Sequence, residues 1–475
     1  MKASCASQTH VGTTRVNPVF TGDSAAALRC EPSWRKLVTA VRGRSQFAVN
    51  VLTNAGGNSL NSVLQLALLL ALGRLLAKDV YAAWLTAGAI IGIGEMASDF
   101  GTRLWAVRRF AGPEHAALTL KYCLVNKLLF TLASIAVLSL LPLNTLTASA
   151  LLLSILVAAT SPGSDPLLWY LRGRERLDVE AGLVLTCRLV IAIALATAAA
   201  FQMSLTVLLS AWLACNVIRI VWESRLPFSR PVFVGFRHVR LTRKGVQQSV
   251  IDVLPLGVSL TLAPFFAHSV LLFVTVYGSD SDVTQFGTAY KLVHSAGFIG
   301  TSIVVSSFAR LARAVQTENG EAAQQIIRTK LLLVTAALAP ICILGTLTAV
   351  PLAHVLLKPE LKDVGVLIVL LMPGLYLTCV NMAVRFTMNA FAFNRQDVLA
   401  MIVGCAVFVI AFQMSEMLWL PIRVTVSWTL NEVAMLVVRW IFLKRHSRHH
   451  GVATGLVLST LSGLTALAGT MFLYW

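Results

Sequence analysis

Gly88, Gly92, Glu95, Asp99 and Arg103 follow one another at steps of four, three, four and four inside an apolar stretch. That spacing predicts a single helical face. Asp99 and Arg103 are opposite in charge and four apart, so each lowers the other's cost of burial. Gly88 and Gly92 let a neighbouring helix come close. A second stripe, Asn54, Asn58, Asn61 and Gln65, repeats the helical spacing. Amides donate and accept, which suits sugar hydroxyls, although the same stripe would also bond helix to helix. Lys127, Arg188, Lys291 and Arg385 stand singly in further apolar stretches. Charges there are expensive unless they face protein or a water-filled cavity. A cavity holding several unpaired cations calls for an anion, and phosphate fits because Lys and Arg both bind it. The structural alternative pairs these cations with Glu95, Asp99 or backbone carbonyls. It likewise makes Asp99–Arg103 a purely structural ion pair.

The elements that must position these residues are membrane helices. Of 475 residues, 57% are hydrophobic and 13% charged, with mean hydropathy +0.76. A soluble domain carries about 25% charge. A soluble enzyme, a secreted disulfide scaffold and a disordered regulator are excluded. Apolar segments run near 48–76, 80–110, 117–141, 146–171, 178–201 and 204–222, then, after a basic stretch, near 249–278, 282–313, 328–354, 362–392, 397–414, 418–443 and 452–475. The predicted fold is an all-α polytopic membrane protein of about thirteen transmembrane helices.

Charge orients them. Lys plus Arg number 39 against 21 Asp plus Glu, and the excess falls in alternate loops, including Arg108 and Arg109; Arg172, Arg174 and Arg176; and Arg310, Arg313, Arg328 and Lys330. By the positive-inside rule these loops and the N-terminus are cytoplasmic, which accounts for the net +18 without nucleic acid. Arg219 and Arg439, near span ends, are expected to snorkel. Residues 1–45 lack a long apolar core, so no cleavable signal peptide is expected.

The two series look like a repeat. A shift of 202 sets Trp84, Thr86 and Ala87 on Phe286, Thr288 and Ala289, and Arg176-Leu-Asp178-Val179 resembles Arg395-Gln-Asp397-Val398. The expected organisation is a polar cytoplasmic tail (1–45), a six-helix lobe (46–222), a basic cytoplasmic linker (223–248), a second six-helix lobe (249–443), and a basic loop with an additional C-terminal helix (444–475). Ser161–Pro166, Pro255, Pro264 and Pro373-Gly374 are expected to interrupt helices, as unwound backbone does where it lines a cavity.

Competing chemistries find little support. The eight cysteines form no C-x-x-C pair and no disulfide framework is expected. Gly92-Ile-Gly94-Glu-Met-Ala97 follows no strand, so it is no dinucleotide loop. There is no Walker A sequence and no acid–base constellation, and His446, His449 and His450 form a solvated turn. The chain is expected to be no enzyme, without metal or cofactor.

Leu72-Gly-Arg74-Leu-Leu-Ala-Lys78-Asp-Val-Tyr81-Ala-Ala-Trp84, continuing to Asp99-Phe-Gly101, resembles the opening of bacterial polysaccharide-transporter flippases of the multidrug/oligosaccharidyl-lipid/polysaccharide exporter superfamily. Ala82 departs from the usual Gly. The resemblance implies two six-helix lobes alternately open to either side of the inner membrane around a cationic cavity. It implies a substrate, undecaprenyl-diphosphate-linked oligosaccharide for O-antigen, capsule or exopolysaccharide assembly, and as partners membrane lipids, a polysaccharide polymerase and export machinery. Lys127, Arg188, Lys291 and Arg385 would hold the diphosphate, with the amides, Glu95, Asp99 and Arg103 completing the site. The alternative within the superfamily is a cation-coupled multidrug exporter, which calls for an acidic cavity. A membrane-embedded polysaccharide polymerase needs a larger periplasmic loop than 354–362 provides.

Overall fold

A computed structural model of the chain describes residues 56–446, except 58, 112–115, 139–145, 162–164, 175, 228–235, 237–238, 317–319, 362 and 392. Asn54, Asn58, the tail 1–45, much of the basic linker and the segment 452–475 lie outside the described residues. Among those described there is no strand. In chain order the α-helices are α1 (Ser59–Leu75), α2 (Lys78–Asp99), α3 (Thr102–Ala111), α4 (Ala116–Leu138), α5 (Ala148–Ala159), α6 (Pro166–Gly173), α7 (Leu177–Ala200) and α8 (Leu205–Arg225). The second half holds α9 (Arg243–Tyr277), α10 (Asp280–Ala296), α11 (Phe298–Gln316), α12 (Gly320–Leu356), α13 (Val364–Ala390), α14 (Asn394–Met414) and α15 (Leu420–His446).

Three crossings are broken pairs: α2 with α3, α5 with α6, and α10 with α11. Counting each pair once leaves α1, α2–α3, α4, α5–α6, α7 and α8 in the first half, and α9, α10–α11, α12, α13, α14 and α15 in the second. The chain is thus a multi-pass membrane protein of two lobes, and eight of its described helices are long and apolar enough to cross a bilayer. Leucine, isoleucine and valine on α4, α7, α8, α12 and α14 stay exposed, Leu128, Ile193, Ile218, Leu344 and Ile402 among them. On a membrane protein such a surface is the one that meets lipid.

The first break has a local cause. Phe100 and Gly101 take φ of 28° and 78°, left-handed values that favour glycine. Asp99 Oδ1 then accepts the Arg103 backbone N–H at 2.9 Å, capping the restart. The helical face running through Gly88, Gly92, Glu95 and Asp99 therefore ends at Asp99. Arg103 is not on it, a correction that follows from the break. Asp165 is the N-cap of α6, accepting from Leu167 N–H at 2.8 Å with Pro166 in the first turn. The other expected interruptions are absent: Pro255 and Pro264 lie within continuous α9, and Pro373 within continuous α13. Gly374 serves close packing instead, since a Cβ there would meet the Trp428 ring.

The two lobes meet along α2, which packs on α4 and α5 of its own half and on α9 and α10 of the other. Thr86 and Thr275 hydroxyls share a hydrogen bond of 3.1 Å, and Thr288 donates to the Tyr81 hydroxyl at 3.0 Å. The repeat-related pair Thr86 and Thr288 thus each bond across to the opposite lobe. Arg74 donates from Nε to Leu356 O and from Nη2 to Val355 O, both at 2.7 Å, and Lys358 Nζ returns to Leu76 O at 2.9 Å. Leu356 and Val355 end α12, where carbonyls lack helical partners. The Leu72–Leu76 motif arginine is therefore a lobe-to-lobe staple.

Candidate substrate cavity

Between the lobes lies a cavity of about 550 Å³. The first lobe contributes Gln65 from α1, Gly88, Gly92 and Glu95 from α2, and Arg188 from α7. The second contributes His268 from α9 and Tyr290, Lys291 and His294 from α10. Trp84 and Trp212 form an aromatic wall with ring centroids 5.5 Å apart.

The α2 glycines explain how cations from the second lobe reach this space. A Cβ on Gly88 would sit 2.6 Å from Lys291 Nζ, and one on Gly92 would collide with the His268 ring. Tyr290 fixes α10 to α9 by donating its hydroxyl to Ala267 O at 2.6 Å, and His294 stacks on Tyr290 at 5.3 Å between ring centroids. These contacts hold Lys291, His268 and His294 together as electrostatic neighbours. Across the cavity, Arg188 Nε is buried without a hydrogen-bond partner. Among the described residues neither Arg188 nor Lys291 makes an ion pair within 4.0 Å. Two cations, one from each lobe, face one space that also holds the Glu95 carboxylate.

Of the residues picked out by spacing, Gln65, Glu95, Arg188 and Lys291 come together here. Asn61 does not line the cavity, and its Oδ1 is buried without a hydrogen bond. Asp99, Arg103 and Lys127 lie outside the lining, with Asp99 in the electrostatic surroundings of Arg103, Glu95 and Lys127. Arg385 also lies outside it, beside Asp397, Arg439 and Glu432.

Arg219 and Arg439 do not snorkel. Arg219 is 3% exposed and pairs with Asp165 at 3.1 Å and Glu223 at 3.5 Å, while donating to Thr160 O at 2.9 Å. Arg439 is 2% exposed, donates to Asp397 at 2.9 Å and to Asn381 Oδ1 at 2.8 Å, and Asn381 in turn donates to Glu432 at 2.7 Å. Lys330, placed by charge alone in a loop, is buried with Nζ on Ala383 O and Thr387 Oγ1 at 2.9 and 2.7 Å. Carboxylates or carbonyls within reach make burial tolerable in each case. His268, Tyr290 and His294 were not singled out by spacing. Tyr290, Lys291 and His294 do recur at one- and three-residue steps, so a helical wheel through Lys291 places all three within reach of one face.

No protein-family model and no curated sequence matches this chain. Solved structures do. An inward-facing multidrug resistance MATE family transporter of the MOP superfamily is 15% identical with TM-score 0.59, covering 89% of this chain and 99% of that one. A eukaryotic MATE transporter is 11% identical with TM-score 0.57, over 88% and 98% of the two chains. The bent form of a Vibrio cholerae MATE transporter is 12% identical with TM-score 0.52, over 89% and 99%. The chain has the MATE transporter fold.

Proposed function

We propose that this chain is a secondary transporter of the bacterial inner membrane, N-terminus cytoplasmic, carrying an anionic organic substrate through its central cavity by alternating access. The observation that carries this reading is the placement of Arg188 and Lys291. They belong to different lobes, face the same cavity and make no ion pair among the described residues. An anion bridging them ties the lobes together, and separating the lobes weakens its hold. That is the differential affinity that alternating access needs. A cavity of about 550 Å³ suits a drug-sized ligand, for which pockets run to about 300–1,000 Å³.

The solved structures support an exporter of small organic molecules better than a flippase, since those named for a substrate class are multidrug transporters. The cavity modifies that reading through its charge: two cations against Glu95 favour anions over cationic drugs. A second reading keeps the lipid-linked oligosaccharide, its diphosphate on Arg188 and Lys291 and its sugars near Gln65. It is favoured by the Leu72–Trp84 resemblance. Proteoliposomes loaded in turn with a disulfonated dye, a cationic dye and farnesyl diphosphate test all three. Transport of the disulfonated dye, lost in Arg188→Gln/Lys291→Gln, supports the main reading. Transport of farnesyl diphosphate alone supports the second, and transport of the cationic dye alone overturns both.

A further inference from the structure

We propose that His268 and His294 form a proton-binding pair within the anion cavity, so that this transporter takes up a proton with its substrate. The inference rests on the anionic-substrate reading above and adds the coupling partner to it.

The geometry singles out these two imidazoles. Both line the cavity, they come from adjacent helices α9 and α10, and they are electrostatic neighbours of each other and of Lys291. His294 Nδ1 is buried with no hydrogen-bond partner among the described residues, so none of them occupies that nitrogen. His268 is pressed against the bare backbone of Gly92, where any side chain would displace it. An imidazole held solely for packing needs no open buried nitrogen.

The other titratable groups facing this space are Glu95 on α2, Arg188 on α7, Tyr290 and Lys291 on α10, and Cys379 on α13. Glu432 on α15 is an electrostatic neighbour of Tyr290. Of these side-chain types, only imidazole changes charge near neutral pH when unperturbed. With Lys291 beside them, protonating either histidine adds like charge to like charge. An anion held by Arg188 and Lys291 supplies the missing counter-charge. The imidazolium form is therefore worth more with substrate bound than without, and by reciprocity each proton bound tightens the anion. The process is binding only: the anion and a proton enter the cavity together and leave together when the lobes exchange sides. An inward proton gradient would oppose outward movement of such a complex and drive inward movement, so direction of net flux is itself informative.

The test uses the full-length protein in detergent or proteoliposomes with a disulfonated naphthalene dye, whose charge is fixed across neutral pH. Its affinity is measured between about pH 6 and about pH 8, alongside proton uptake in weak buffer with an indicator. The expected result is tighter binding at the acidic end, approaching about tenfold per pH unit for one linked proton, and net proton uptake on binding. His268→Gln/His294→Gln should bind the dye with a flat pH profile and no uptake. If the parent binds the dye with neither pH dependence nor proton uptake, the inference is overturned while the anion reading stands. A slope that persists in the double histidine variant overturns it equally. No dye binding at either pH by the folded parent removes the anion reading and this inference with it.

Discussion

Lys291 Nζ lies so close to Gly88 that a Cβ there would sit 2.6 Å from the ammonium. One lobe supplies the cation and the other supplies the absence of a side chain that admits it. Gly88→Val should therefore displace Lys291 without cutting any hydrogen bond. A lost charged hydrogen bond to ligand is worth about 1.5–3 kcal/mol, or about ten- to a hundredfold in affinity. Dye binding by Gly88→Val, with thermal unfolding as the check on folding, measures this. Unaltered affinity would mean that Lys291 does not contact the anion.

The staple between Arg74 and the end of α12 predicts a conformational bias. Arg74 and Lys358 together make three bonds between lobes at one end of the molecule. Arg74→Ala/Lys358→Ala removes them and should populate the state open at that end. A single cysteine at cavity-lining Leu72 should then react several-fold faster with an impermeant thiol reagent from that side. Unchanged reactivity would show that the Tyr81–Thr288 and Thr86–Thr275 bonds suffice to hold it closed.

Asp99 accepts the Arg103 N–H in the first turn of α3, and its variants should behave as those of a capping side chain. Asn caps about as well as Asp, whereas Ala costs about 1 kcal/mol. Asp99→Asn should retain transport and stability, and Asp99→Ala should lower the unfolding temperature. Loss of transport in a stably folded Asp99→Asn would instead give this carboxylate a part in ion coupling.

How much of this was legible in the sequence depends on what each signal measures. Apolar segment lengths reported the crossings, because bilayer thickness dictates them. Helical spacing brought Gln65 and Glu95 to the cavity on their own helices, and isolated charge brought Arg188 and Lys291. Spacing failed at Arg103 because periodicity carries no memory across a break, and Phe100–Gly101 is such a break. It failed at Arg439 and Lys330 because their partners Asp397 and Ala383 are remote in sequence, and at Arg219 it passed over Glu223, four residues on, as well as the remote Asp165. His268 passed unnoticed since a lone histidine in an apolar run has no periodic partner. Its neighbour is Gly92, supplied by the other lobe.

The buried Arg439–Asp397 pair gives a stability prediction. Side chains here are 2% and 0% exposed, so Arg439→Met alone leaves Asp397 uncompensated and should cost about 3–5 kcal/mol. Asp397→Leu/Arg439→Met should recover much of that loss. Denaturation of the single and double variants at equal expression reads the difference, and equal losses in both would mean that Asn381 and Glu432, not the pair itself, hold the second lobe together.

The central claim is that Arg188 and Lys291 hold one anion between the lobes. Affinity for the disulfonated dye across Arg188→Gln, Lys291→Gln and the double variant forms a cycle that tests it. If both cations contact the same anion, each single loss should weaken binding by about tenfold or more, and the two effects should couple by about 0.5–3 kcal/mol, as expected for groups sharing a partner. Strict additivity with small single effects, in proteins that unfold at the parent's temperature, would contradict the shared anion site.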